Sequence, residues 1–283
     1  MPGALFWVDD SPHLLAMSKS SPSHGLLRQL VNVGVLVLVL WLNGLAGSGA
    51  LSGESIGLLA NRYRSTFLPA NWVFGIWSLI YLSLVFFTVY QALPAQRDNE
   101  ALRRIGWGWA VNGALNVGWI VLFSFSLFGP ALLVMLALLI NLIWIVERTG
   151  WPEGKLGWVD RILIAYPFGL YLAWISVAVI ANTFQFMTYL EWGGFGISAE
   201  VWSAVMMVVG TGLAAFMVLH RGNWLFPLVF SWAFWGIADR YADVPVISNT
   251  AYAMIGLCFA LVVVGVLRVR TRATLSATRP AAG

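Results

Sequence analysis

A chain of 283 residues that is 60% hydrophobic and only 10% charged cannot cover a water-facing surface of its size. That excludes a soluble globular protein and leaves a polytopic integral membrane protein, with a mean hydropathy of +0.81. The net charge of +4 does not signal a nucleic-acid partner, because the basic residues are scattered among short loops and form no patch.

Residues 1–28 are rich in Ser and Pro and read as a disordered cytoplasmic tail. Within it, Met17-Ser18-Lys19-Ser20-Ser21-Pro22-Ser23 has the look of a second translation start. Apolar segments follow at roughly 29–47, 72–93, 105–127, 130–147, 162–187, 200–219, 222–238 and 246–267, each about long enough to cross ~30 Å of hydrocarbon at ~1.5 Å per residue. The seventh is the shortest and holds Pro227. Residues 271–283 close the chain as a second disordered tail, so the pattern predicts an all-α fold of eight spans with no soluble domain.

The basic residues test this map. With the N-terminus inside, 13 of the 16 Lys and Arg fall in inner segments, and only Arg62, Arg64 and Arg240 fall outside. The asymmetry supports eight spans with both ends cytoplasmic, as in a bacterial inner membrane. The stretch from Gly44 to Gly57 is not a phosphate loop, since it lacks a Lys-Ser/Thr ending and a preceding strand; it reads as a flexible outer connection.

Charged chemistry is absent from the predicted membrane centre. All twelve acidic residues lie in loops, tails or span ends, with Glu147, Glu200 and Asp239 near the ends of spans four, six and seven. Proton relays and ion-coupled transporters place ionisable groups within the spans, so this pattern argues against a pump, an intramembrane protease or a metal enzyme. His13, His24 and His220 have no ligand spacing, which argues against haem held by two histidines. The single cysteine, Cys258, allows no disulfide framework or cysteine-built metal site, and reads as a small packing residue.

Two residue classes remain. Asn112, Asn116, Asn141, Asn182 and Gln185 are deep, neutral and polar, and serve either as interhelical hydrogen-bond glue or as the polar edge of a pocket. Thirteen of the 16 tryptophans sort by depth. Trp72, Trp107, Trp109, Trp151, Trp158, Trp192, Trp202 and Trp224 lie near predicted interfaces and suit belt anchoring. Trp77, Trp119, Trp174, Trp232 and Trp235 lie deeper, as packing residues or as walls for a flat apolar ligand.

Three stretches together resemble the TspO/MBR family of tryptophan-rich sensory proteins. Pro69-Ala70-Asn71-Trp72-Val73-Phe74-Gly75-Ile76-Trp77 followed by Tyr81 resembles the family's entry to its second helix. Asn112, Asn116 and Trp119 leading to Leu122-Phe123 resemble the third, and Pro167, Tyr171-Leu172, Trp174, Ala178 and Asn182 the fifth. Order and spacing agree across about 29–190. The departures are Pro69-Ala70 where relatives often have Pro-Pro, and no Trp-Tyr pair upstream in the first outer loop. No Lys or Arg occurs between Arg161 and Arg221, so no sterol-type Tyr-to-basic pattern follows span five, which weakens cholesterol as a ligand.

The resemblance implies a five-helix membrane domain over 29–190, with an uncleaved first helix despite the small residues at Ala46-Gly47-Ser48. A three-helix extension over 199–270 lies beyond it, free to pack on the core, enlarge its cavity or form a homo-oligomer contact. The implied function is binding of a hydrophobic, aromatic small molecule in the bilayer, for sensing, sequestration or translocation. No cofactor is required, and a tetrapyrrole is the ligand class the resemblance suggests. The candidate lining is Trp72, Phe74, Trp77, Tyr81, Asn116, Trp119, Trp174, Ala178 and Asn182, opening near the loop before Trp72. An uncoupled transporter of a neutral or lipid-like solute and a structural or assembly protein stay open. An enzyme acting in light-dependent porphyrin breakdown has only the resemblance behind it, as no acid–base or nucleophile constellation is present.

Overall fold

The computed structural model describes residues 22–63, 65–151 and 156–277, with side chains from Gly25 to Arg268. Every regular element among them is helical. In chain order, apart from short 3-10 turns at Pro94–Gln96 and Gly194–Gly196, they are α1 (Pro22–Ser48), α2 (Ile56–Arg62), a 3-10 turn (Asn71–Gly75), α3 (Ile76–Ala92), α4 (Glu100–Ile105), α5 (Gly108–Ser124) and α6 (Phe128–Thr149). There follow α7 (Trp158–Asp160), a π turn (Arg161–Ala165), α8 (Tyr166–Tyr189), α9 (Ala199–Arg221), α10 (Leu225–Arg240) and α11 (Pro245–Ala277).

Local signals set the boundaries. The Ser198 hydroxyl accepts the Val201 N–H at the start of α9, and the Asn99 carboxamide accepts the Leu102 N–H at the start of α4. Gly150 and Gly222 end α6 and α9 in the left-handed conformation that only glycine adopts without strain. The π turn ends two residues before Pro167, whose missing N–H leaves the regular ladder incomplete there.

All eight apolar segments are helical, and six stretches are long and apolar enough to cross a membrane by length and composition: Gly25–Ser48, Asn71–Ala92, Phe128–Thr149, Trp158–Tyr189, Ala199–Arg221 and Pro245–Arg268. The third and seventh predicted spans are α5 and α10, of 17 and 16 residues. At ~1.5 Å per residue they rise only about 24–26 Å. Two predicted tails are shorter than expected. Residues 22–28 belong to α1 and 271–277 to α11, because helix nucleated in the apolar stretch extends into flanking residues at little further cost, with Pro22 at the first helical position where its missing N–H is harmless. The rest of both tails lies outside the described residues.

The helices of residues 22–189 close into a ring in the order α1, α5, α6, α8, α3 and back to α1. Carboxamides knit it. Asn43 donates to Asn116 at 2.8 Å, Asn116 donates to the Tyr171 hydroxyl at 2.7 Å, and Asn112 donates to Asn141 at 3.0 Å. These bonds join α1 to α5, α5 to α8 and α5 to α6, the glue reading for both asparagines of α5. The extension α9–α11 packs on itself and docks through α10 onto α8 and the 3-10 turn. At this junction Gly236 accepts the Ala70 N–H at 2.9 Å, and a Cβ on Gly236 would lie 2.0 Å from Val73.

Successive long helices reverse direction, so Pro22 and Ala277 lie at the same end of the bundle. The other end carries α2. Among the described side chains, Arg62 and Arg240 lie at the α2 end, whereas Arg28, Arg97, Arg103, Arg104, Arg148, Arg161, Arg221 and Arg268 lie at the opposite one. Two of the tryptophans assigned to the interface belt are core residues. Trp109 is 1% exposed and donates to the Asn32 carbonyl at 3.2 Å, and Trp151 packs against Gly169. Glycine at 169 supplies the room, as a Cβ there would meet the Trp151 ring at 2.3 Å. Trp235, assigned to the deep class, is exposed on α10.

Candidate functional site

The ring holds a partly open chamber of about 810 Å³, walled by α1, α3, α5 and α8, with α2 and the segment of chain that follows it over one end. Each helix contributes one stripe. On α8 the lining residues are Trp174, Val177, Ala178, Ala181, Asn182 and Gln185, the three-and-four spacing of a single helical face. On α1 the same spacing brings Leu40, Asn43, Gly44 and Gly47 to the wall, and Trp119, Ile120 and Phe123 do so on α5. A methyl group added at Gly44 or Gly47 would meet no atom within 4 Å, because both border empty volume.

Trp77 is the hub of the aromatic wall. Its ring stacks on Tyr81 at 5.3 Å and on Trp119 at 6.3 Å, and meets Trp174 edge-on at 6.2 Å. Phe74 meets Trp174 edge-on at 6.2 Å, and Phe123 lies 5.6 Å from Trp119. Such offset and T-shaped pairs suit the ring quadrupoles and leave flat faces for a guest.

The polar groups of the wall are neutral. Among the described residues no charged side chain lines the chamber; the polar ones are Asn43, Ser55, Asn61, Asn71, Tyr81, Asn182 and Gln185, with indole N–H groups beside them. Trp119 Nε1 donates to Asn182 Oδ1 at 3.3 Å, and Asn182 Nδ2 donates to the Ala178 carbonyl at 3.0 Å. Trp174 Nε1 is buried with no hydrogen-bond partner among the described residues. Gln185 donates to the Leu59 carbonyl at 3.2 Å, tying α8 to the cover.

Seven of the nine expected residues therefore share this chamber: Phe74, Trp77, Tyr81, Trp119, Trp174, Ala178 and Asn182. Trp72 does not. On a 3-10 turn residues three apart share a face, so Asn71 and Phe74 turn to the chamber while Trp72 and Gly75 turn to a separate apolar cleft between α3, α10 and α11. There Trp72 donates to Asp239 at 2.9 Å and packs edge-on against Trp232 and Trp235. Asn116 stands behind the wall, fully engaged with Asn43 and Tyr171.

Sequence reasoning missed the α1 stripe and the cover. The Gly44–Gly57 stretch is not one flexible connection: Gly44 and Gly47 are in α1 and Gly57 is in α2. The available signal was the Leu40, Asn43, Gly44, Gly47 spacing, which places small and polar residues on one face of an otherwise bulky span. Among its described residues the extension contributes none to the chamber lining.

A family model for TSPO-like proteins matches residues 29–264, which takes in both the ring and most of the extension. Neither the curated proteins nor the solved structures compared with the chain include a match.

Proposed function

The chain belongs to the TSPO-like protein family, and on that premise we propose that its chamber binds a flat, hydrophobic, aromatic small molecule of the tetrapyrrole class. The observation that carries the reading is the wall itself: six aromatic rings from Phe74, Trp77, Tyr81, Trp119, Phe123 and Trp174 around about 810 Å³, with no charged group among the described lining residues. That volume falls within the roughly 300–1,000 Å³ of small-molecule sites, which are mostly apolar with a few placed polar groups. The rings supply stacking area. The Asn43 carboxamide oxygen and the Tyr81 hydroxyl supply an acceptor and a donor for the heteroatom edge of a ligand, while both ends of the Asn182 carboxamide are engaged by Trp119 and the Ala178 carbonyl. Ala178 keeps the α8 wall shallow.

The neutral wall also selects. Moving an ionised group into such a site without a countercharge costs several kcal/mol. The part of the ligand that enters is uncharged, and ionised substituents stay at the α2 end, the end that carries Arg62 and Arg240. The distribution of arginines supports an orientation with Pro22 and Ala277 on the cytoplasmic side, as in a bacterial inner membrane.

Titration of the purified protein with protoporphyrin IX, following tryptophan quenching and the porphyrin absorbance band, tests the reading. Saturable binding is expected, weakened at least about tenfold in Trp174→Ala, the loss of ~1.4 kcal/mol or more with the ring. Uroporphyrin, with carboxylates all round its rim, is expected to bind less tightly than etioporphyrin, which has none. Absence of saturable binding by all three would overturn the tetrapyrrole reading.

A further inference from the structure

The cover of the chamber is fastened mainly from outside the ring. From the ring, Gln185 holds the Leu59 carbonyl, and Arg62, ion-paired within the cover to Glu54, reaches the Ser126 hydroxyl at 3.3 Å. From the extension, Arg240 uses both ends of its guanidinium: Nη2 donates to Asn61 Oδ1 at 2.6 Å and Nη1 donates to the Pro69 carbonyl at 3.2 Å. Asn61 and Pro69 both line the chamber. Next to it the Tyr241 hydroxyl donates to the Ser65 carbonyl at 2.6 Å, and Ser203 donates to Thr66 at 2.7 Å. The Ala70 N–H reaches Gly236 and Trp232 Nε1 donates to the Val73 carbonyl at 2.9 Å. Residues 61–63 and 65–73 thus run along a row of donors and acceptors that the five ring helices do not provide.

We infer that Arg240 is a positioning residue for the chamber, fastening the cover to the three-helix extension so that the extension governs how readily the chamber opens. The fork geometry explains the choice of residue. Two acceptors on separate parts of the cover need a planar, permanently charged donor with two nitrogen arms, which lysine cannot supply. It also gives a use to an arginine at the end of the bundle where arginines are sparse. The role of the fork in ligand exchange rests on the reading of the chamber as a binding site; its role in holding the cover does not.

The test uses the full chain in lipid nanodiscs and needs no ligand for its first arm. Hydrogen–deuterium exchange is measured over residues 56–71 and, as an internal reference, over α5. Arg240→Gln is expected to speed exchange of the cover about tenfold or more, the effect of losing two charge-assisted bonds, with α5 at its parental rate. Arg240→Lys should fall between. Asn61→Ala should speed it less, and combined with Arg240→Gln should add little. Unchanged exchange in the cover would overturn the inference, and so would equal acceleration in α5, which marks a general loss of stability. In the second arm, stopped-flow mixing with protoporphyrin IX should show association and dissociation both faster in Arg240→Gln at unchanged stoichiometry. A parental protein that binds no porphyrin would remove the ligand reading while the exchange result still decides the latch.

Discussion

Trp119 and Trp174 face the same chamber, yet their indole N–H groups have opposite fates, and this fixes what a ring-conserving substitution should do. Phenylalanine at either site removes the same atoms, so the lost area and the residual cavity largely cancel between the two variants. The hydrogen bonds do not cancel. Trp119→Phe deletes a donor bonded to Asn182 at 3.3 Å and leaves that acceptor unpaired, a loss of about 1 kcal/mol net. Trp174→Phe deletes a buried donor with no partner among the described residues, relieving a penalty of about 1–3 kcal/mol. Trp174→Phe should therefore be more stable than Trp119→Phe by about 2 kcal/mol or more, or roughly 4–8 °C in melting temperature. The assay is thermal unfolding of both ligand-free variants in one detergent, followed by circular dichroism in the helix band. A Trp174→Phe protein that melts at or below Trp119→Phe would refute the argument, because it would mean the Trp174 N–H is already satisfied.

Gly44→Leu should keep the fold and block the chamber, since its side chain grows into space where a Cβ meets nothing within 4 Å; porphyrin titration checks the block and melting temperature the fold. Gly236→Ala should destabilise by about 1–3 kcal/mol through overpacking against Val73. Gly212→Ala, open on all sides, should be neutral or slightly stabilising in the same melt. Single cysteines at Arg62 and Arg97 should react with a membrane-impermeant maleimide from opposite sides of an oriented vesicle, against little background from the fully buried Cys258; labelling from one side would break the alternating path of the helices.

Most of the fold is legible in the sequence because a bilayer imposes a single requirement, about twenty apolar residues per crossing, and hydropathy reads that directly. The Trp174–Asn182 stripe is legible for a related reason: on a regular helix, spacing is geometry. Legibility fails where the backbone leaves the regular helix. Trp72 shares a motif with Phe74 and Trp77, but the 3-10 turn at 71–75 rotates it onto the extension, and no periodicity at 3.6 residues anticipates that. Asn116 looks like a pocket residue from depth alone, yet both ends of its carboxamide are spent on Asn43 and Tyr171, partners 73 and 55 residues away in sequence. The cover was hidden by its composition: Gly, Ser and Asn suggest a loose connection when their partners, Arg240 and Tyr241, lie in a part of the chain the motif does not reach.

The distance in sequence between Asn61 and Arg240, 179 residues, has a chronological meaning. Chains are made from the N-terminus at about 5–20 residues per second, and early units fold while later ones are still being synthesised. Every wall of the chamber is complete by Gln185, but the residue that ties down its roof, Arg240, is made 55 residues later. For several seconds of each molecule's birth the vessel exists without its clasp, and a hydrophobic guest already dissolved in the bilayer has its easiest entry before α10 arrives.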